Sequence, residues 1–248
     1  MFSHHFDEKI GKRVIFHWFM LSFSGGCINA GGFLATGKFV SHVTGFATLF
    51  GVDVASNQIE NALSILSVPL FFLLGAFAAG LLIDRPLHQG RTPHVDWVMG
   101  LSALCLFLAA GGGEMLWFGK FSGVVGLEET YALLAVVCLA SGLQNGAITS
   151  SSGRSVRTTH LTGLTTDLGL GLARALTFDL KKSLSQKEAR ANFLRIGSIL
   201  SFVFGSAVGA WVFLAMGYKG FLLPALISVY AAWHGRKAKV VPRDLPLP

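Results

Sequence analysis

The chain has 248 residues, 52% of them hydrophobic and only 13% charged, with a mean hydropathy of +0.59. Soluble domains carry about 25% charged residues, so there is too little charge here to cover a soluble core, and the composition is that of a membrane protein. A formal charge of +7 suits an anionic surface or a nucleic acid, but Lys and Arg of membrane chains collect in cytoplasmic loops, so no nucleic-acid partner is expected.

The N-terminal stretch up to Arg13 carries charges of both signs, and no small-residue cleavage site follows it. The segment from residue 14 therefore reads as a retained first span. A crossing needs about 20 apolar residues, and six stretches approach or meet this, at 14–37, 62–83, 97–118, 131–150, 193–216 and 220–233, the last short and interrupted by Pro224. Two further segments, Val43–Ala55 and 161–176, are helical in pattern but carry Thr44, Thr48 and Asp53, then Thr162, Thr165, Thr166, Asp167 and Arg174. A carboxylate at mid-bilayer costs about 3 kcal/mol or more, so these segments should face protein, a cavity or the interface. Cys27, Cys105 and Cys138 lie singly inside apolar runs. That arrangement suggests neither a disulfide framework nor a metal site, and free buried thiols are expected.

An internal repeat organises the chain. Ser41-His42-Val43-Thr44-Gly45 recurs as Thr159-His160-Leu161-Thr162-Gly163, and Gly26-Cys27-Ile28-Asn29 recurs as Gly142-Leu143-Gln144-Asn145. If the two polar segments do not cross the bilayer, only Lys38, Lys120 and Lys219 of the 20 Lys and Arg fall opposite the N-terminus. If both cross, Arg85, Arg91, Arg154 and Arg157 join the opposite side and Lys120 leaves it, which fits the positive-inside rule less well. The expected fold is an all-α integral membrane protein, a single domain over 1–248 with six transmembrane helices and two short polar half-helices. Copy one covers about 14–118 and copy two about 131–235. Three crossings per copy would turn the second over, making an inverted repeat.

The paired motifs carry the candidate chemistry. A hydroxyl residue, a histidine and Thr-Gly at a helix start offer caps and free backbone N–H groups, which attract anions. Candidate solute-binding residues are therefore Ser41, His42, Thr44, Thr159, His160 and Thr162. His42 and His160 are titratable near neutral pH; a histidine merely bonded to a carbonyl is an equal reading. Asn29, Asn145 and Gln144 are span amides that can bind a solute or join helices. Arg157 can clamp a carboxylate or phosphate, while Arg154 suits a cytoplasmic anchor. Asp53 and Asp167 are ionisable groups on the half-helices, with water at the interface as the bland alternative. Gly205 and Gly209 form a small-residue ridge suited to packing. No phosphate-binding loop, dinucleotide fingerprint, metalloprotease helix or nucleophile elbow occurs, so no cofactor, no metal and no catalytic residue is assigned and the chain is not read as an enzyme.

The pattern Asn29-Ala-Gly-Gly-Phe33, Phe39-Val-Ser-His-Val-Thr-Gly45, Gly142-Leu-Gln-Asn145 and Val156-Arg-Thr-Thr-His-Leu-Thr-Gly163 resembles the YoaK-like family of small bacterial membrane proteins, over nearly the whole chain. The resemblance implies a multi-span protein of the bacterial inner membrane and supplies no established activity. Members of that family often carry an acidic residue where Asn29 stands and an asparagine where Phe46 stands. The reading that follows is a small secondary transporter or channel for an unidentified small solute, an anion among the candidates, with its site between the two Ser/Thr-His-x-Thr-Gly motifs, in the lipid bilayer with both termini cytoplasmic; a homodimer is one assembly open to it. The alternatives are a non-transporting assembly or signalling protein and, third, a lipid-acting membrane enzyme.

Overall fold

A computed structural model of the protein describes residues 11–123, 127–151, 161–177 and 183–237. Every regular element among them is helical: α1 (Lys12–Thr36), α2 (Val43–Ala55), α3 (Ile59–His88), α4 (Val95–Glu114), α5 (Leu127–Ser151), α6 (Leu161–Thr177), α7 (Ser183–Met216), a 3-10 turn (Gly217–Phe221) and α8 (Leu222–Lys237). The six apolar stretches lie on α1, α3, α4, α5, α7 and α8, and the two polar segments are α2 and α6. Among the described residues, four helical runs are long and apolar enough to cross a membrane: Ile59–His88, Val95–Glu114, Glu128–Ser151 and the run Glu188–Arg236 that joins α7 to α8. Arg154, Arg157, Thr159 and His160 lie outside the described residues.

Several boundaries differ from the sequence reading by a few residues, and two of the differences have a clear local cause. α4 ends at Glu114 rather than 118, because it closes on three consecutive glycines, poor helix formers. The chain then turns through Leu116, at φ 62°, and Trp117 N–H reaches the Gly112 carbonyl. α7 starts well before its apolar part, since Glu188, Asn192 and Arg195 share one face of its opening turns and bond to one another.

Close helix pairs join distant parts of the chain. α1 runs parallel to α7: a methyl added at Gly26 would strike the Phe202 carbonyl, one at Gly205 the Phe23 carbonyl, and one at Gly209 would press on Cys27. α3 runs parallel to α5 in the same manner, with Gly142 against the Phe72 carbonyl and Gly75 against the Leu139 carbonyl. Gly26 and Gly142 are equivalent in the repeat. In lipid no hydrophobic force drives helices together, so dispersion contacts between closely approaching backbones supply the attraction, and glycine is what permits that approach. α2 packs on α3 and α6 on α7, while α1 and α5 also touch, so the neighbours run α6, α7, α1, α5, α3, α2. α4 and α8 pack on each other and on the central pair.

Directions follow from the contacts. His17, Trp18 and Leu21 near the start of α1 share a cavity with Ala147, Ile148 and Ser151 at the end of α5, so α1 and α5 are antiparallel. α4 and α8 are antiparallel too, with Asp96 beside Gly235 and Gly113 beneath Tyr218. Lys12, Arg13, Arg85, Arg91 and Arg236 therefore gather at one end of the bundle, and Lys38, Lys120 and Lys219 at the other. The outer faces of α3 and α7 expose Leu63, Leu70, Leu73, Phe77, then Leu200, Phe204, Trp211 and Leu214. Apolar stripes of this extent belong against lipid.

Candidate functional site

The first motif sits on a loop that turns back into the bundle. α1 ends at Thr36, and Gly37, at φ 71°, adopts the left-handed conformation that lets its N–H close on the Phe33 carbonyl at 2.7 Å. From there the chain descends along the helix it has just left. Phe39 stacks on Phe33 with ring centroids 4.6 Å apart, and Val40 rests on Gly32, where a methyl would collide with it. Asn29 then fixes the bottom: its Oδ1 accepts from Val40 N–H at 3.1 Å, Ser41 N–H at 3.4 Å and Ser41 Oγ at 3.3 Å. Across the bundle, Cys138 Sγ, near the midpoint of α5, donates to the Val40 carbonyl at 3.1 Å. Asn29 lies about 10 Å back from the end of α1, and α2 rises again until Asp53 is within Coulomb range of Tyr131 in the first turns of α5. The loop thus enters and leaves by the same end of the bundle.

The residues of the half-helix are less engaged than their pattern suggests. His42 is the N-cap of α2, but no side chain caps the helix; Gly45 N–H bonds instead to the His42 carbonyl at 2.9 Å. Ser41, expected as a cap, spends its hydroxyl on Asn29. A Cβ at Gly45 would come within 2.7 Å of His42 Nδ1, so a larger residue there would have to displace the imidazole, which meets Phe39 edge-on. Thr48 Oγ bonds back to the Thr44 carbonyl at 3.1 Å, and Thr166 Oγ to the Thr162 carbonyl at 3.0 Å. These positions match in the repeat, as do Phe46 and Leu164, the large residues each half-helix buries. Thr44, Thr162 and Asp167 are exposed, Asp53 partly so. Among the described residues, α2 and α6 make no contact with each other.

A second polar group occupies the centre. Gln144, 1% exposed, donates from Nε2 to Ser228 Oγ on α8 at 2.9 Å, and its Oε1 has no partner among the described residues. Asn145 is buried beside it. Ser22 and Ser24 on α1 are fully buried with equally unpartnered hydroxyls among the described residues, and Ser102 on α4 donates to the Ala140 carbonyl at 3.1 Å. Each central helix thus carries buried polarity, and an unpartnered amide oxygen costs about 1–3 kcal/mol.

Sequence reasoning missed one cluster. Arg195 Nη1 contacts Glu188 Oε1 at 2.9 Å and Asn192 Oδ1 at 2.7 Å, while Arg174 of α6 reaches Glu188 at 3.6 Å. Gly171 leaves the space these groups fill. The signal was present, since Glu188, Asn192 and Arg195 follow the spacing of one helix face. Asp53 stands where the repeat places Gly171, so copy one has a half-helix carboxylate at the position that copy two leaves open for the Glu188 carboxylate of α7. The thiols of Cys27, Cys105 and Cys138 are free, and Cys27 donates to the Gly205 carbonyl.

Neither a curated protein nor a solved structure matches the chain. A family model does match, over residues 17–233, from the buried His17 to the last turn of α8. That span holds both half-helices, the loop on Asn29 and the central amides, as the YoaK-like resemblance implied, and the chain belongs to the family described as "Protein of unknown function (DUF1275)".

Proposed function

We propose that this protein is a small secondary transporter or channel of the bacterial inner membrane, with both termini cytoplasmic, that passes a small solute and favours an anion. The observation that carries this reading is the loop held by Asn29. Irregular backbone at bilayer depth persists only where protein or a cavity surrounds it, and transporters use such breaks to set helix ends against a solute. The order of helix neighbours, unchanged when α1 and α5, α2 and α6, α3 and α7 are exchanged, supports an inverted repeat. On that reading Arg157 and His160, which lie outside the described residues, serve the second copy's share of the site together with Gln144 and Asn145. The buried unpartnered oxygens at the centre suit a hydrated path, and the concentration of Lys and Arg at the end holding both chain termini supports a cytoplasmic assignment for it.

The test is flux. The purified protein in liposomes should pass at least one of a panel of small inorganic and carboxylate anions, and Asn29→Leu, Gln144→Leu, His42→Ala and His160→Ala should each slow it. Unaltered flux in all four variants, or no flux for any solute, overturns the reading. A non-transporting assembly or signalling protein is the second reading, favoured by the exposure of most residues of α2 and α6. Cysteines placed at Thr48 and Thr166 separate the two: labelling of each from one face only, unaffected by any solute, fits assembly.

A further inference from the structure

A groove of about 340 Å³ opens where the first turns of α1 meet the last turns of α8, lined by Lys12, Arg13, Phe16, His17, Tyr230 and His234. We infer that it binds the phosphate of an anionic phospholipid headgroup. Lys12 and Arg13 are exposed, and neither has an acidic partner among the described residues. Among the described residues the neighbouring acid, Asp96 at the start of α4, is engaged by Arg236 at 3.4 Å, so their side chains leave the groove cationic. An ammonium and a guanidinium side by side present the donors that a phosphate diester accepts.

The floor of the groove is rigid. His17 is buried, its Nδ1 is held by the Arg13 carbonyl, and its ring stacks on Tyr230 with centroids 5.7 Å apart. His234 packs against both rings, at 5.1 Å from His17 and 4.2 Å from Tyr230, with its Nδ1 on the Tyr230 carbonyl. Level and surroundings favour a lipid over free phosphate. The groove lies at helix ends, where headgroups sit. Phe16, 58% exposed one turn inward from Lys12, and Tyr230 give it an aromatic wall for the glycerol and first methylenes, and basic pockets between helix ends suit such headgroups. The site is separate from the loop on Asn29 and does not depend on solute transport.

The full-length protein, titrated with phosphatidylglycerol or phosphatidylcholine in detergent and read by native mass spectrometry, should retain one phosphatidylglycerol per chain in preference to phosphatidylcholine. Lys12→Gln and Arg13→Gln should each weaken retention about fivefold. Arg85→Gln and Arg91→Gln, which remove exposed cations from the same end of the bundle but outside the groove, should leave it unchanged. Equal retention of both lipids, a double Lys12→Gln, Arg13→Gln variant that binds as tightly as the parent, or equal losses from the Arg85 and Arg91 variants would overturn the inference. Inorganic phosphate forms a further arm: displacement of the lipid at millimolar phosphate assigns the groove to a soluble anion and also overturns it.

Discussion

Asn29 shows how far a single side chain governs the candidate site. Three donors converge on its Oδ1, from Val40 and Ser41, and an acceptor is all that geometry asks for. Asn29→Leu should cost about 1–3 kcal/mol by stranding those donors, seen as a lower unfolding temperature in detergent and faster labelling of a cysteine at Ser41. Asn29→Asp should hold the loop as well as the parent does, because a carboxylate oxygen accepts the same bonds. His42 is the opposite case. Its side chain is exposed and caps nothing, so His42→Ala should change stability by less than about 0.5 kcal/mol, and lost flux in that variant would report on the solute rather than on folding.

At the level of helices, the glycine contacts make a paired prediction. Gly75→Leu and Gly205→Leu should each overpack a parallel helix pair and destabilise it by about 1–3 kcal/mol or more, whereas Gly100→Ala, with nothing within 4 Å of the new methyl, should raise stability by a few tenths to about 1 kcal/mol. Thermal unfolding of the purified variants checks both. The elements themselves were legible in the sequence, because hydropathy and length report burial in lipid directly: all six apolar stretches and both polar half-helices appear. The partners were not. That α1 pairs with α7 depends on Gly26 meeting a carbonyl at Phe202, a contact between small groups that hydropathy does not register. The loop's descent was hidden for a related reason, since Phe39 and Val40 look like any apolar linker until Phe33 and Gly32 are known to lie beneath them. The role expected of Ser41 as a cap failed because Asn29 was within reach.

For the molecule as a whole, the contacts put the start of α1 and the end of α8 at one end and Lys38 and Lys219 at the other. Cysteines at Lys12 and Arg236 should therefore label from one side of sealed vesicles and cysteines at Lys38 and Lys219 only from the other, and a mixed pattern would mean that α2 or α6 crosses. The exchange of partners between the halves bears as well on how the chain can be made. Cys27 reaches Gly205 across 178 residues of sequence, so α1 enters the bilayer long before the helix that will cover its glycine face exists. Until α7 emerges, that face is open to lipid, to quality-control proteases or to a second nascent chain. Neither half can complete its packing alone. Separate expression of residues 1–124 and 125–248 should yield fragments that are degraded singly and survive together, and the interval between synthesis of α1 and of α7 is when the protein is most vulnerable to insertion in the wrong orientation.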